Sequence, residues 1–472
     1  MKLVYDIADK PPIKKNLIYA FQQLLAIMAA TLLVPILVNV NSGASYMSQP
    51  AALLGAGVGT LFYLFMTKKK SPVFLGSSFA FISPLAHAVA FGYLGIFLGA
   101  VFAGLVYVVI ALIIKKTGSA WVNKLLPPVV IGPTVALIGL SLCGSAVNNI
   151  ANLNGDRSFV KLVEGFTGTI TAENLAEATE IGSYTGYSLI SILVGLIAFF
   201  ITVWASVKGS KGMKMIPFII GILGAYAIAL VITLIGGMDQ NSALHLVKLE
   251  AFNNVQVFSV PEFTFLGMFK EGTSKISGIN DLLNIFMLFA PVAFVVLAEH
   301  IADHKNLGSI IDRDLITDPG LDRTLVGDGV GSIIGSFFGG CPNTTYGESV
   351  GCVAITGNAS VSTIFIAAIY CIVLAFFGPF TAFVNSIPDC IVGGVCIALY
   401  GFIAVSGLKM LQPVDLNDNR NLFVVAAILV CGIGGLSLNL GPITITPIAT
   451  GLIVGILVNV IFNKRSANEK AE

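Results

Sequence analysis

The chain has 472 residues, 56% of them hydrophobic and 11% charged, with a formal net charge of +1 and a mean hydropathy of +0.90. Such values exclude an ordinary soluble domain, and the near-neutral balance gives no argument for a nucleic-acid partner. Backbone polar groups in hydrocarbon need partners within the protein, and the apolar runs are mostly of helix length, so the expected class is an all-α polytopic membrane protein rather than a barrel.

In chain order, Asp6, Asp9, Lys10 and Pro11-Pro12 precede the first apolar run and do not resemble a cleavable signal. Apolar segments then fall near 17–40, 50–67, 73–90, 93–114, 126–146, 187–207, 214–236, 282–304, 325–340, 343–357, 361–383, 387–405, 421–438 and 443–463. They make about fourteen spans at roughly 20 residues per helix, a few of them shorter. Basic residues test that count: Lys14-Lys15, Lys68 to Lys70, Lys115-Lys116, Lys208/Lys211/Lys214, Lys305/Arg313/Arg323, Lys409/Arg420 and Lys464-Arg465 all fall on one side. An even number of crossings with this bias puts both termini in the cytoplasm. The loop 147–186, with Asp156, Glu164, Glu173, Glu177 and Glu180 against only Arg157 and Lys161, then lies outside. The seven cysteines, among them Cys143, Cys371, Cys396 and Cys431, lack metal or redox spacing and read as small buried hydrophobes. Gly95/Gly99 and Gly451/Gly455 fit close helix packing. His87 and His245 read as incidental.

Two spans are poor lipid-facing helices. PVFLGSSFAFISP (72–84) breaks at Gly76-Ser77-Ser78, and CPNTTYGESVGCVAITG (341–357) opens with polar and small residues and carries an acid. Irregular backbone at membrane depth survives where it lines a cavity, and paired interrupted segments in the two halves of a chain point to a transport site. The halves align: Phe79 falls on Glu348, Ile96 on Ile364, and Pro127 on Pro388 with Gly132 on Gly393. Spans one to seven repeated as eight to fourteen would be inverted in the membrane.

The segments LGSSFAFISP (75–84), AEH (298–300), DPGL.R (318–323), PNTTYGE (342–348) followed by AIT (354–356), and LYG (399–401) closely resemble the nucleobase–ascorbate transporter family and its bacterial uracil permease branch. NTTYGE is specific to that branch, and the likeness runs from about Pro11 to Lys464. The resemblance implies about fourteen transmembrane segments in a 7+7 inverted repeat, with short extended segments in spans 3 and 10. It divides the chain into a core domain (11–117, spans 1–4, and 282–383, spans 8–11) and a gate domain (118–238, spans 5–7 with the 147–186 loop, and 387–465, spans 12–14). It further implies proton-coupled uptake of uracil by alternating access across the bacterial inner membrane, with no enzymatic activity and no cofactor beyond the proton gradient. Uracil, protons and membrane lipid are the expected partners, and the expected assembly is a homodimer formed through the gate domain. Xanthine or another nucleobase is the alternative substrate.

Such a ring presents N–H donors and carbonyl acceptors, so its site needs both. Glu299 and Glu348 can accept through charge-assisted bonds. Free N–H groups at the starts of the two half-helices, around Phe79 and Gly347, can donate. Gly347 admits close approach, and Phe79 or Tyr346 offers a stacking face. By resemblance the binding residues are Phe79, Glu299, Gly347 and Glu348, to which the local sequence adds Tyr346. Structural readings stand beside these: Glu299 as an interfacial acid at the cytoplasmic end of its span, Phe79 as core packing. An acid inside a span costs about 2.5–3.5 kcal/mol, which favours a function for Glu348.

Glu299 and Asp303 share one helix face, with His300 and His304 on the neighbouring one. Proton coupling is therefore assigned to Glu299, Asp303 and His304, with Glu299 protonated as substrate binds and releasing its proton inside. The sequence departs from the branch pattern in carrying Asp303 where a histidine is usual, and Gln22-Gln23 where histidine usually follows glutamine. Asp328 in VGDGVG is similar to the acid of intramembrane aspartyl proteases, but the partner motif is missing and a helix-start cap accounts for it. An anion carrier of sulfate or bicarbonate type is the main rival, and a glutamate at the focus of two helix N-termini argues against it.

Overall fold

The structure, a computed structural model, describes residues 3–151, 160–162, 179–181, 186–236, 244–270, 275–440 and 443–463. Most of the 147–186 loop, including Asp156, Arg157, Glu164, Glu173 and Glu177, lies outside the described residues, as do Lys464 and Arg465.

The first half comprises α1 (Ile13–Ser42), α2 (Gln49–Met66), strand β1 (Leu75–Ser77), a 3-10 turn (Phe79–Phe81) leading into α3 (Ile82–Ala88), α4 (Gly92–Thr117), α5 (Ala120–Leu125), α6 (Pro128–Ser141) and α7 (Cys143–Ala151). After the short pair β2 (Val160–Leu162) and β3 (Thr179–Ile181) come α8 (Gly186–Val207), α9 (Lys211–Met215) and α10 (Pro217–Gly236). The second half runs through α11 (Thr264–Met268), α12 (Ile279–Ile311), α13 (Leu321–Phe337), β4 (Asn343–Thr345), α14 (Gly347–Thr356), α15 (Val361–Ala375), α16 (Gly378–Ser386), α17 (Asp389–Lys409), α18 (Asn419–Ile433), the hairpin β5 (Leu438–Leu440) and β6 (Ile443–Ile445), and α19 (Pro447–Asn463).

Local chemistry sets these boundaries. Gly43, with φ 67°, closes α1 in the left-handed conformation. The Ser48 hydroxyl accepts from the Ala51 N–H at the start of α2. Pro127 and Pro388 occupy the same capping position at the starts of α6 and α17. Among the described residues, eight helical segments are long and apolar enough to cross a membrane, and three shorter apolar helices accompany them. Large apolar side chains such as Phe65, Val109, Phe200, Ile235 and Val430 cover the exterior, while His300, His304 and Asp328 are fully buried. This inversion of the soluble pattern defines a multi-pass integral membrane protein.

At its centre the interrupted segments meet. Strands β1 and β4 pair antiparallel, Leu75 with Thr345, Gly76 with Thr344 and Ser77 with Asn343. The ladder partners backbone groups that the two broken helices leave open. Glycines let other elements cross at backbone distance. A Cβ on Gly139 would lie 2.4 Å from the Tyr400 carbonyl and one on Gly132 3.0 Å from that of Gly407, so α6 and α17 run antiparallel in contact. Gly55 and Gly59 of α2 likewise meet Gly335 and Gly331 of α13. Gly99 abuts the Phe289 ring, and Gly451 and Gly455 abut Ile428, whereas a Cβ on Gly95 would first meet Phe91 of its own segment.

Three sequence-based expectations are corrected. Asp328 is not a helix-start cap: it lies in the interior of α13, with its Oδ2 2.7 Å from His300 Nδ1. The flanking glycines mark close packing, Gly327 against Tyr63 and Gly329 against Gly104, and not a break. Glu299 is not at a helix end, because α12 continues to Ile311; His300, Asp303 and His304 continue the helix facing protein, and Lys305, Asn306 and Ser309 beyond them are exposed. Cys143 is exposed and Cys431 partly so, the other five cysteines being buried.

Candidate functional site

One cavity of about 60 Å³ gathers residues from both halves of the chain. From α12 come Glu299, Ala302 and Asp303; from the turn after β1, Phe79; from the β4–α14 junction, Thr344, Tyr346, Gly347 and Glu348. The opposite wall is Val135 of α6 with Phe402, Ile403 and Ser406 of α17 and the adjoining Met410. Among the described residues, no lysine, arginine or histidine lines it. Three carboxyl groups therefore face a small space without a cation.

Each side chain has a stated support. Asp303 Oδ2 accepts from the Thr345 hydroxyl at 2.8 Å. The Glu299 carboxylate accepts no hydrogen bond among the described residues, which leaves it available to a ligand. Glu348 stands in the first turn of α14, whose N-cap residue Tyr346 provides no side-chain cap; its carboxylate accepts from its own backbone N–H, which leaves the Gly347 N–H for other acceptors. A Cβ placed on Gly347 would meet only Asp303 Oδ1, at 3.7 Å. Phe79 is edge-on to Tyr400, ring centroids 5.8 Å apart. Tyr346 reaches across the broken segments, its hydroxyl donating to the Ser77 carbonyl at 2.8 Å and its ring lying against Gly76. It braces β4 on β1 while bordering the cavity. Behind α14, the Gln23 amide donates to the Ser349 hydroxyl, which accepts from the Phe74 N–H at 3.1 Å. Gln23 thereby ties α1 to both interrupted segments.

Phe79, Glu299, Asp303, Tyr346, Gly347 and Glu348 are thus brought together, and His304 is not. Consecutive residues on a helix point about 100° apart, so with Asp303 in the cavity His304 turns into the protein. Its Nε2 lies 2.7 Å from the Tyr63 hydroxyl and its Nδ1 2.7 Å from the His300 carbonyl. The two imidazoles stack at 4.1 Å, and His300 Nε2 reaches the Thr324 hydroxyl at 3.0 Å. This buried network fastens α12 to α2 and α13 directly behind the carboxyl groups. Sequence reasoning missed Val135, Phe402, Ile403, Ser406 and Met410; for Phe402 and Ile403 the signal was the LYG motif (399–401) immediately before them. It also missed Thr345, the partner of Asp303.

A bundle whose helices are interrupted around a half-buried polar cavity, with walls from two groups of helices, defines a membrane transport protein. Among protein families, the one described as Permease family matches residues 14–441, and the chain belongs to it, the nucleobase–ascorbate transporter family. It is 38% identical over 468 residues to a uracil permease of Bacillus caldolyticus, covering 98% of this chain and 96% of the relative. It is 36% identical over 465 residues to the uracil permease of Bacillus subtilis (strain 168), covering 98% and 95%, and 32% identical over 458 residues to that of Escherichia coli (strain K12), covering 97% and 93%. Of solved structures, SLC26A9 is similar with a TM-score of 0.61 at 12% identity, over 95% of this chain and 66% of that one. The transmembrane domain of the cyanobacterium bicarbonate transporter BicA is similar with a TM-score of 0.58 at 14% identity, over 96% and 100%. These two likenesses concern the fold alone.

Proposed function

We propose that this protein takes up uracil across the bacterial cytoplasmic membrane by alternating access, driven by the proton gradient. The observation that carries the reading is the cavity itself: carboxylate acceptors and helix-start donors converge on one small space between the interrupted segments and the wall of α6 and α17. Glu299 and Glu348 accept from the ring N–H groups, the Gly347 N–H and the N–H groups around Phe79 donate to its carbonyls, and Phe79 packs against its face. Tyr346 holds the two interrupted segments in register.

Uracil is neutral at physiological pH and draws nothing from the membrane potential alone, so accumulation needs a coupled ion. Glu299 takes up the proton with substrate, and Asp303, in the place of the usual histidine, shares it. His304 borders a polar surface depression with Lys305 and Arg313 and passes the proton to the cytoplasm. The architecture of the proposal is fourteen spans in an inverted 7+7 repeat. The antiparallel crossings of α2 with α13, α6 with α17 and β1 with β4, each between corresponding elements of the two halves, support it. Residues 11–117 and 282–383 form the moving core and 118–238 and 387–465 the gate, through which two copies associate; both termini lie in the cytoplasm.

The absence of any cation among the cavity-lining residues disfavours an anion carrier on the same fold, since three carboxyl groups repel a negative ligand. The test is uptake of radiolabelled uracil into proteoliposomes with an imposed pH gradient, acid outside. Accumulation that collapses with the gradient and is competed by uracil analogues but not by sulfate is expected; strong competition by sulfate sinks the reading, and strong competition by xanthine moves the substrate to a larger nucleobase.

A further inference from the structure

A second cavity, distinct from the one that holds the carboxyl cluster, opens on the surface among α4, α5, α12 and α19. It measures about 860 Å³ and is walled by apolar residues such as Ile113, Phe286, Phe294, Ile453 and Leu457. At bilayer depth such a groove holds an acyl chain, since water gains nothing there. One polar exception lines it: Trp121, whose indole N–H is buried with no acceptor among the described residues. A buried donor without a partner is costly and calls for one.

The surroundings of Trp121 specify that partner. Lys115 and Lys116 end α4, Lys124 lies one turn beyond Trp121 on α5, and all three are exposed. Lys116 also continues the face of α4 that carries Val109 and Ile113 into the groove. The sequence holds no aspartate or glutamate between Asp9 and Asp156, so α4 and α5 themselves carry only basic charge. Basic pockets between helices on the cytoplasmic side suit anionic headgroups. We propose that the groove is a site for one anionic glycerophospholipid, its chain between α4, α12 and α19, an ester or phosphate oxygen accepting from Trp121, and its headgroup charge set against Lys116 and Lys124. The lipid would contact α12, the helix that also carries Glu299 and Asp303 into the carboxyl cavity. The site does not rest on the substrate reading, and failure to carry uracil leaves it standing.

The chain has two tryptophans, and the other, Trp204, is exposed on α8. The Trp204→Phe full-length protein therefore reports on Trp121 alone. In phosphatidylcholine bilayers its fluorescence is titrated with phosphatidylglycerol brominated on the acyl chains, and separately with the matching brominated phosphatidylcholine. The anionic lipid should quench at a mole fraction lower by roughly 25-fold, about fivefold for each of the two lysines. The Lys116→Gln/Lys124→Gln variant should weaken that preference by roughly fivefold for each lysine removed, while Lys116→Arg/Lys124→Arg retains it. Equal quenching by the two lipids, or a preference that survives removal of both charges, overturns the proposal.

Discussion

Gly347→Ala separates binding from folding. No positive φ constrains this glycine, and an added Cβ meets only the Asp303 carboxylate at 3.7 Å, so the backbone tolerates alanine. At the first position of α14 the change removes freedom from the unfolded chain and adds about 0.4–1 kcal/mol of stability. The methyl group, however, projects into a cavity of about 60 Å³, between the donors of the helix start and the carboxyl groups. Overfilling a matched space costs about 1–3 kcal/mol, which is roughly a 5- to 150-fold loss of affinity. The assay pairs uracil binding to purified protein with thermal unfolding of the same sample. The expected result is an unchanged or higher Tm with binding weakened within that range. Unaltered affinity would show that the ligand does not sit against this helix start, and the assignment of the donors would fail.

Three further outcomes follow from other parts of the structure. Glu299→Gln should express normally yet lose accumulation driven by a pH gradient, measured as labelled uracil in vesicles; undiminished accumulation would remove Glu299 from the coupling. Asp328→Ala leaves His300 Nδ1 buried without its 2.7 Å partner and should cost about 1–3 kcal/mol, whereas Asp328→Asn keeps an acceptor and should cost less; equal Tm values for the two variants contradict that. Gly407→Ala would put a Cβ 2.2 Å from the Ala136 backbone nitrogen, while at Gly401 on the same helix nothing lies within 4 Å. The first should therefore lower Tm or yield and the second leave both unchanged.

What can be read from the sequence follows from how the membrane constrains residues. An acid inside an apolar run is conspicuous, and so Glu299, Asp303 and Glu348 are legible from residue order alone, as are the two breaks that bring Phe79 and Gly347 beside them. The opposite wall is not. Val135, Phe402 and Ile403 are apolar residues on helices that are apolar all round, and no periodicity marks which side meets a cavity and which meets lipid. Asp328 misleads because its flanking glycines suggest the rules of soluble helices, where glycine interrupts; between packed membrane helices glycine permits contact, as Gly329 does against Gly104. His304 is conspicuous in chemistry and silent in direction, since helical spacing relates His300 to His304 but does not say that their partners are Asp328 and Tyr63.

The two walls of the cavity differ in how they are held, and this bears on the motion that the proposed alternating access would require. On the carboxyl side, the β1–β4 ladder, the Tyr346 hydroxyl on Ser77 and the histidine network behind α12 join the interrupted segments to α2 and α13 through hydrogen bonds. On the other side, α6 and α17 touch backbone to backbone through Gly132, Gly139 and Gly407, which resists sliding within that pair. Between the walls, the cavity residues facing the carboxyl groups are Val135, Phe402, Ile403, Ser406 and Met410, side chains that make mostly non-directional contacts. Directional bonds must break to be sheared, whereas apolar contacts can be exchanged for others at little cost, so under the proposed mechanism displacement would concentrate at this surface. A ligand held by Glu299, Glu348 and the α14 start would then travel with the hydrogen-bonded side, and the apolar wall would act as the barrier it passes.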